Sequence, residues 1–199
     1  ASENALRLIL LSELEHFCAR YPHVRIRLLN YSAPQAVKAL ENNIIDFAIV
    51  STPVLVHKHM HQEKLVSYDE ILLGGTKYKQ FAQQVHYLED ISEMPLIGLC
   101  EGSSTHTHYS RFFMEHDLPF EPHMEAAMTD QVLPMITHNL GIGFYPKSLA
   151  LEAIEKELVF PIELTEPLPN RDVVVITNNH TPINSAARRF LEFLLENRK

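Results

Sequence analysis

The chain has 199 residues, 46% of them hydrophobic and 21% charged, enough to bury one core of ordinary size or two small cores sharing a hinge. Its formal net charge of −8 at pH 7 excludes this segment as a holder of a phosphate backbone, since nucleic-acid binding needs a basic face. No apolar run approaches the roughly 18 residues that span a bilayer, and the two cysteines, Cys18 and Cys100, imply no disulfide framework and a cytoplasmic compartment in which both stay reduced.

The opening stretch "ASENALRLILLSELEHF" breaks its leucines with charges as a helix does and a signal peptide does not. Leu6, Leu10, Leu14 and Phe17 recur at three- and four-residue steps, which predicts an amphipathic helix stopping at Pro22. "HVRIRLL" alternates Val24, Ile26 and Leu28 with charges and reads as a strand, and "SAPQAVKALENN" opens a second helix with a serine cap and an early proline. "IIDFAIV", a short apolar run rich in β-branched residues, is expected to be a strand covered on both faces of a parallel sheet, as are "PLIGLC", "GIGFYP" and "DVVVITN". Between them, "STHTHYSRFFMEHDL" and "TDQVLPMITHNL" carry helical patterns, and "INSAARRFLEFLLENR" closes the chain with Ala186, Phe190 and Leu194 on one face. Alternating strands and helices make an α/β architecture.

In "NLGIGFYP", Asn139 falls where a helix end wants a left-handed residue, Gly141 and Gly143 leave room for the backbone to enter a buried strand, and Pro146 ends that strand. These features occur in a telling order. A helix ending in "YP", a "VRIRL" strand, Ser32 opening a helix, "ALENNIIDFAIV", "LEDISEMPLI", "GSSTHTHYSRFF", "TDQVLPMITHNLGIGFYP" and "VVVITNNHTPINSAARRFLEFL" together resemble the effector-binding domain of LysR-type transcriptional regulators across the whole chain. Asn43 and Asn139 stand where that family usually carries glycine, and asparagine tolerates positive φ next best. The chain begins at "AS", whereas the family's first strand and its N-terminal winged helix-turn-helix are expected ahead of that dipeptide.

The resemblance implies a type II periplasmic-binding-protein-like fold: two Rossmann-like subdomains, joined by two crossover segments, with a small effector held in the cleft between them. Crossovers are expected near "LLGGTKY" and "ELTEPLPNRDV", which divides the chain into subdomain I (1–73 and 173–199) and subdomain II (74–172). Strand-to-helix loops are where such folds bind ligands. Those loops carry hydroxyl or amide residues at helix N-termini: Ser2 and Asn4, Ser32, Ser103 to Thr105 with Ser104 between them, and Thr129. Each caps its own helix, or the set binds an anion through unpaired N–H groups and helix dipoles, the loops themselves holding no arginine or lysine. Cys100 borders the same region as a rim or core thiol, and specificity could instead reside in deeper apolar positions such as Leu99 and Phe144.

Other constellations point elsewhere. "HKHMH" puts His57, His59 and His61 on one side of an extended segment, but no carboxylate or cysteine completes a metal set locally, and "HTHY" with His106 and His108 is no stronger. Ser103, Ser104 and His106 are too close in sequence at a helix start to aim at one another, no G-x-S-x-G elbow exists, and no buried acid/base pair is visible, so neither catalysis nor a cofactor is expected. The expected partners are a small anionic effector and a second copy in a homodimer or tetramer, with DNA reached only through a separate N-terminal domain and no membrane. Through the resemblance, the first helix of one copy should meet "SRFFMEHDL" of another, using exposed parts of Leu10 and Phe113. The alternative function on the same fold is a free-standing solute receptor or a binding-protein-like enzyme.

Overall fold

The structure, a computed structural model, describes residues 1–196. It divides into two compact units, Ala1–Ser67 with the segment from Asp172, and Tyr68–Arg171. The chain therefore passes from one unit to the other at Ser67/Tyr68 and at Arg171/Asp172. The expected first crossover, "LLGGTKY", instead lies inside the second unit, where Leu72 to Gly75 are buried strand residues paired on both sides.

In the first unit, α1 (Glu3–Ala5), a π turn (Leu6–Leu10) and α2 (Leu11–Arg20) run on as one helix. Leu10 and Phe17 are buried as the spacing requires, and the π turn brings Ile9 into the core beside them. Helix α3 (Ala33–Glu41) starts at Ser32, whose N–H donates to Gln35 Oε1 at 3.0 Å. It ends at Asn43, whose φ of 55° is the left-handed conformation foreseen for it. Strand β1 (Ala48–Ser51) is buried throughout, but it pairs antiparallel with β9 (Arg171–Asn178) in a three-stranded sheet of order β1-β9-β2, β2 being Met60–Tyr68. Apolar runs predict burial on both faces, not strand direction, and direction is where the expectation of a parallel sheet fails here. "HVRIRLL" is extended without forming a ladder. Helix α8 (Ser185–Glu196) packs Ala187, Phe190 and Leu194 inward, and Phe190 meets the Phe17 ring edge-on at 4.9 Å. The last two residues of the helical pattern "INSAARRFLEFLLENR", Asn197 and Arg198, lie outside the described residues.

The second unit is built on a six-stranded sheet of order β4-β8-β3-β7-β5-β6. Its members are β3 (Glu70–Gly75), β4 (Val85–His86), β5 (Leu96–Leu99), β6 (Met124–Ala126), β7 (Ile142–Pro146) and β8 (Val159–Leu164). Strand β5 runs parallel to β6 and β7, whereas β3 is antiparallel to β7 and β8, so the parallel expectation holds at one end of the sheet only. Helices α4 (Leu88–Ser92), α5 (Ser104–Met114), α6 (Thr129–Thr137) and α7 (Lys147–Glu155) connect these strands. One core cluster joins Phe112, Phe113, Tyr109 and Phe144 to Leu72 and Ile91, and a second joins Val132, Ile136 and Tyr145 to Leu73 and Ile97. At the α6–β7 turn Asn139 has φ 59°, and its side-chain oxygen accepts the Lys77 N–H at 2.7 Å. A Cβ on Gly141 would stand 2.4 Å from the Pro95 carbonyl oxygen, so no side chain fits where β7 enters the sheet beside β5.

Among the described residues no helix is long and apolar enough to cross a membrane. Phe113 is fully buried and Leu10 nearly so, which corrects the expectation that their exposed parts form an interface. The exposed apolar neighbours on the same helices are Leu11 and Met114.

Candidate effector site

Each unit gathers part of the set that the sequence picked out. In the first unit three chain ends lie side by side. Ser2 donates its N–H to the Ile49 carbonyl at 2.9 Å, its Oγ accepts the Ser51 N–H at 3.1 Å, and Tyr31, next to Ser32, donates to the Ala1 carbonyl at 3.0 Å. Asn4 is buried in the first helical turn. Ser51, which the sequence reading passed over as part of an apolar strand, buries an Oγ that has no partner among the described residues.

In the second unit, Ser103 caps α5, its Oγ accepting the His106 N–H at 3.1 Å. Cys100 is half-buried at the end of β5, its N–H bonded to the Ala126 carbonyl at 3.0 Å. Thr129 does not cap α6: Gln131 does so, its Oε1 accepting from Ala127 and Met128 at 3.0 and 3.1 Å, while Thr129 turns inward. Thr105, Thr129 and Phe144 then line one hollow with Glu70, Tyr109 and Leu99. At about 10 Å³ it holds one water at most, so a ligand docking here needs the rim of the hollow, not its floor.

Behind the hydroxyls stands a group that sequence reasoning missed. Arg171, fully buried, donates to Thr105 Oγ1 at 2.9 Å and reaches Ser104 Oγ at 3.5 Å. The same guanidinium lies 3.2 and 3.4 Å from the two carboxylate oxygens of Glu70, which also accepts a short bond from the Tyr109 hydroxyl. Burial disfavours the Arg171 charge, but Glu70, Tyr68 and Tyr109 outweigh it and hold the guanidinium above its ordinary range. Burial first, then the Glu70 charge, pushes the Tyr109 phenol well above its ordinary value. The guanidinium and the carboxylate thus face each other in a locked, buried pair. The signal was there in part: an arginine directly heads "DVVVITN" and a glutamate heads "ILLGG", charged residues at the mouths of buried strands.

His108, one turn further along α5, is the pair's neighbour. Burial, and then the Arg171 charge, lower its pKa to about 4, and its Nε2 is buried with no partner among the described residues. A histidine held neutral in this way stabilises the fold fully above its unfolded pKa of about 6.5 and loses that contribution as pH falls toward 4. With the ring half-buried and partly screened by solvent, we expect an acid-side loss on the order of 2 kcal/mol. Urea titrations from pH 7 to pH 4 should show it, and a His108→Gln variant should have a flatter profile; parallel profiles would contradict the assignment.

His57 and His59 stack at 5.7 Å and His59 and His180 at 4.7 Å, while His61 turns to Glu63; among the described residues no group of three or more ligating side chains could hold an ion. The His106 ring lies 3.2 Å from Ser110 Oγ, on its own helix.

Comparison with known proteins agrees with this architecture. The LysR substrate binding domain matches residues 1–199. The chain belongs to that family. Among curated relatives, the HTH-type transcriptional regulator GltR of Bacillus subtilis (strain 168) is 22% identical over 144 residues, covering 72% of this chain and 47% of that protein. The HTH-type transcriptional regulator YofA of Bacillus velezensis is 20% identical over 192 residues, covering 96% of this chain and 64% of the relative. The chain thus spans less than two-thirds of the length of these regulators. Among solved structures, the regulatory domain of Synechocystis PCC6803 CcmR in complex with 2-PG superposes with a TM-score of 0.87 at 15% identity, covering 100% of this chain and 95% of that one. The effector-binding domain of QuiR in complex with shikimate gives 0.84 at 14% identity, covering 99% and 93%. At these identities the likeness establishes the fold, which is that of LysR effector-binding domains, an α/β fold of the type II periplasmic-binding-protein kind.

Proposed function

We propose that this LysR substrate binding domain senses a small anionic effector, as the regulatory part of a longer bacterial transcription regulator working in the cytoplasm. DNA contact then belongs to a separate domain of that protein, and assembly as a homodimer or tetramer uses surfaces such as those around Leu11 and Met114. No catalytic step is assigned, since the hydroxyls of α5 have no base.

The observation that carries the anion is the state of two hydroxyls. Ser104 and Thr105 accept N–H groups from Arg171, which leaves their own protons to donate, and among the described residues nothing receives them. They stand at the N-terminus of an eleven-residue helix, whose unpaired N–H groups and dipole favour negative charge. Glu70 neutralises Arg171, so the guanidinium acts by orienting and polarising the hydroxyls and does not bind the ligand itself. An apolar or cationic ligand would leave these donors unpaired, at roughly 1–3 kcal/mol each.

Thermal unfolding in the presence of small carboxylates, sulfate and phosphate, against neutral and cationic metabolites, tests this. A matching anion at 100 times its Kd is expected to add about 2.7 kcal/mol. Ser104→Ala and Thr105→Ala variants should lose most of that gain. Stabilisation by cationic or purely apolar compounds alone would reject the anion.

A further inference from the structure

The cation behind the α5 hydroxyls is already engaged. Arg171 donates to Thr105 and reaches Ser104, but it stands against Glu70 at 3.2 Å and both are buried. One more nitrogen base shares that side of the helix. His108 follows Thr105 by three residues and Ser104 by four, separations that put side chains about 5–6 Å apart on one helix face. We propose that His108 is the proton-taking member of this site, neutral without an anion and protonated once one docks against Ser104 and Thr105. This rests on the anion reading above and adds its regulation, because it couples occupancy to pH.

The surroundings of His108 account for both states. Its ring is half-buried and meets the Tyr109 ring edge-on at 5.1 Å, and its Nε2 is buried with no hydrogen-bond partner among the described residues. Such a place costs a charged imidazole more than a neutral one. Arg171, at the start of β9, opposes a proton as well, whereas Glu70 on β3, the Pro169 carbonyl ahead of β9 and Glu115 just beyond α5 favour one. Burial leads and Arg171 follows, so the balance falls on the neutral side, at about 4. The Tyr109 phenol, held well above its ordinary value, stays protonated beside it.

An anion at the start of α5 reverses the sign of the field on that side. At roughly 6 Å, and with the effective dielectric of about 20 that suits such sites, one negative charge tightens the imidazole's hold on a proton about 100-fold. That carries the His108 midpoint from about 4 to about 6, and a dianion carries it further. Arg171 cannot respond in this way, since a guanidinium keeps its proton at every pH considered, while an imidazole changes charge. The sign of the linkage follows. A midpoint that rises on binding makes binding tighter as pH falls, so the Kd of a singly charged anion should drop about tenfold per pH unit between about 6 and about 4 and be level above about 7.

Sulfate is the probe, because it stays a dianion over this whole range, and sodium chloride at equal ionic strength is the reference. The His108 ring signals, assigned by their loss in His108→Gln, are titrated from about pH 8 to about pH 4 in both salts, and the amides of Ser104 to His106 are followed in the same samples. The His108 midpoint should rise from about 4 in chloride to about 6 or higher in sulfate, with saturable shifts at those amides. The Kd read from the amides should tighten as pH falls in the parent chain and be independent of pH in His108→Gln. Saturable amide shifts with equal His108 midpoints in the two salts would overturn this inference and leave the anion reading standing, as would a Kd that keeps its pH dependence in His108→Gln. Amides that stay in place with sulfate, and with phosphate and acetate tried in its stead, would overturn both.

Discussion

Arg171→Ala is expected to destabilise the chain by about 3–5 kcal/mol, because it leaves the buried Glu70 carboxylate without its guanidinium partner and with the Tyr109 hydroxyl against it. For a chain of this length that is a fall in Tm of roughly 6–20 °C. Glu70→Ala should cost a similar amount by stranding the guanidinium. Replacing the set together, as Glu70→Leu, Arg171→Met and Tyr109→Phe, should recover most of the loss, since buried ion pairs exchanged for apolar groups of similar volume are often neutral or better. Urea unfolding of the three proteins measures this directly. Single variants within 1 kcal/mol of the parent would mean that the pair is hydrated and weak.

Phe113→Ala should cost about 3–5 kcal/mol by opening a cavity in the core of the second unit. Its ring meets Phe120 at 5.1 Å and Phe144 at 6.2 Å, both edge-on, and it is fully buried. The adjacent Met114 behaves oppositely. As an exposed residue, Met114→Glu should leave stability within about 0.5 kcal/mol, and so should Leu11→Glu. If the self-assembly proposed above uses these helices, it is the two exposed substitutions, combined, that shift sedimentation toward the monomer. A stable Phe113→Ala protein that had lost self-association would reverse the assignment.

Local features of the sequence carried the helices and turns well. Ser32 with Gln35, the stop at Asn43 and the left-handed Asn139 are decided by a few neighbouring atoms, and all were legible. Strand direction was not, because "FAIV" looks the same whether its partner runs up or down. "HVRIRLL" shows a related limit: alternation predicts an extended chain, but a ladder needs a neighbour, and Ala1 supplies one just at the segment's end, donating to Leu29 and accepting from Tyr31. In the candidate site the hydroxyls of Ser103, Ser104 and Thr105 stood out because helix starts favour such residues. Arg171 and Glu70 did not, since the two are 101 residues apart and each sits at the edge of an apolar run that reads simply as strand. Thr129 does stand at the helix start the sequence indicated, but of the two roles open to it capping falls to Gln131 in the same turn, while Thr129 faces inward.

The central claim is that the effector is an anion received by the hydroxyl-bearing start of α5. Chemical-shift mapping of the labelled chain, titrated with the carboxylate or oxyanion that stabilises it best, tests this most directly. The account predicts saturable shifts at the amides of Ser103 to His106 and at the Arg171 side chain. Saturable binding that leaves those signals in place would contradict it.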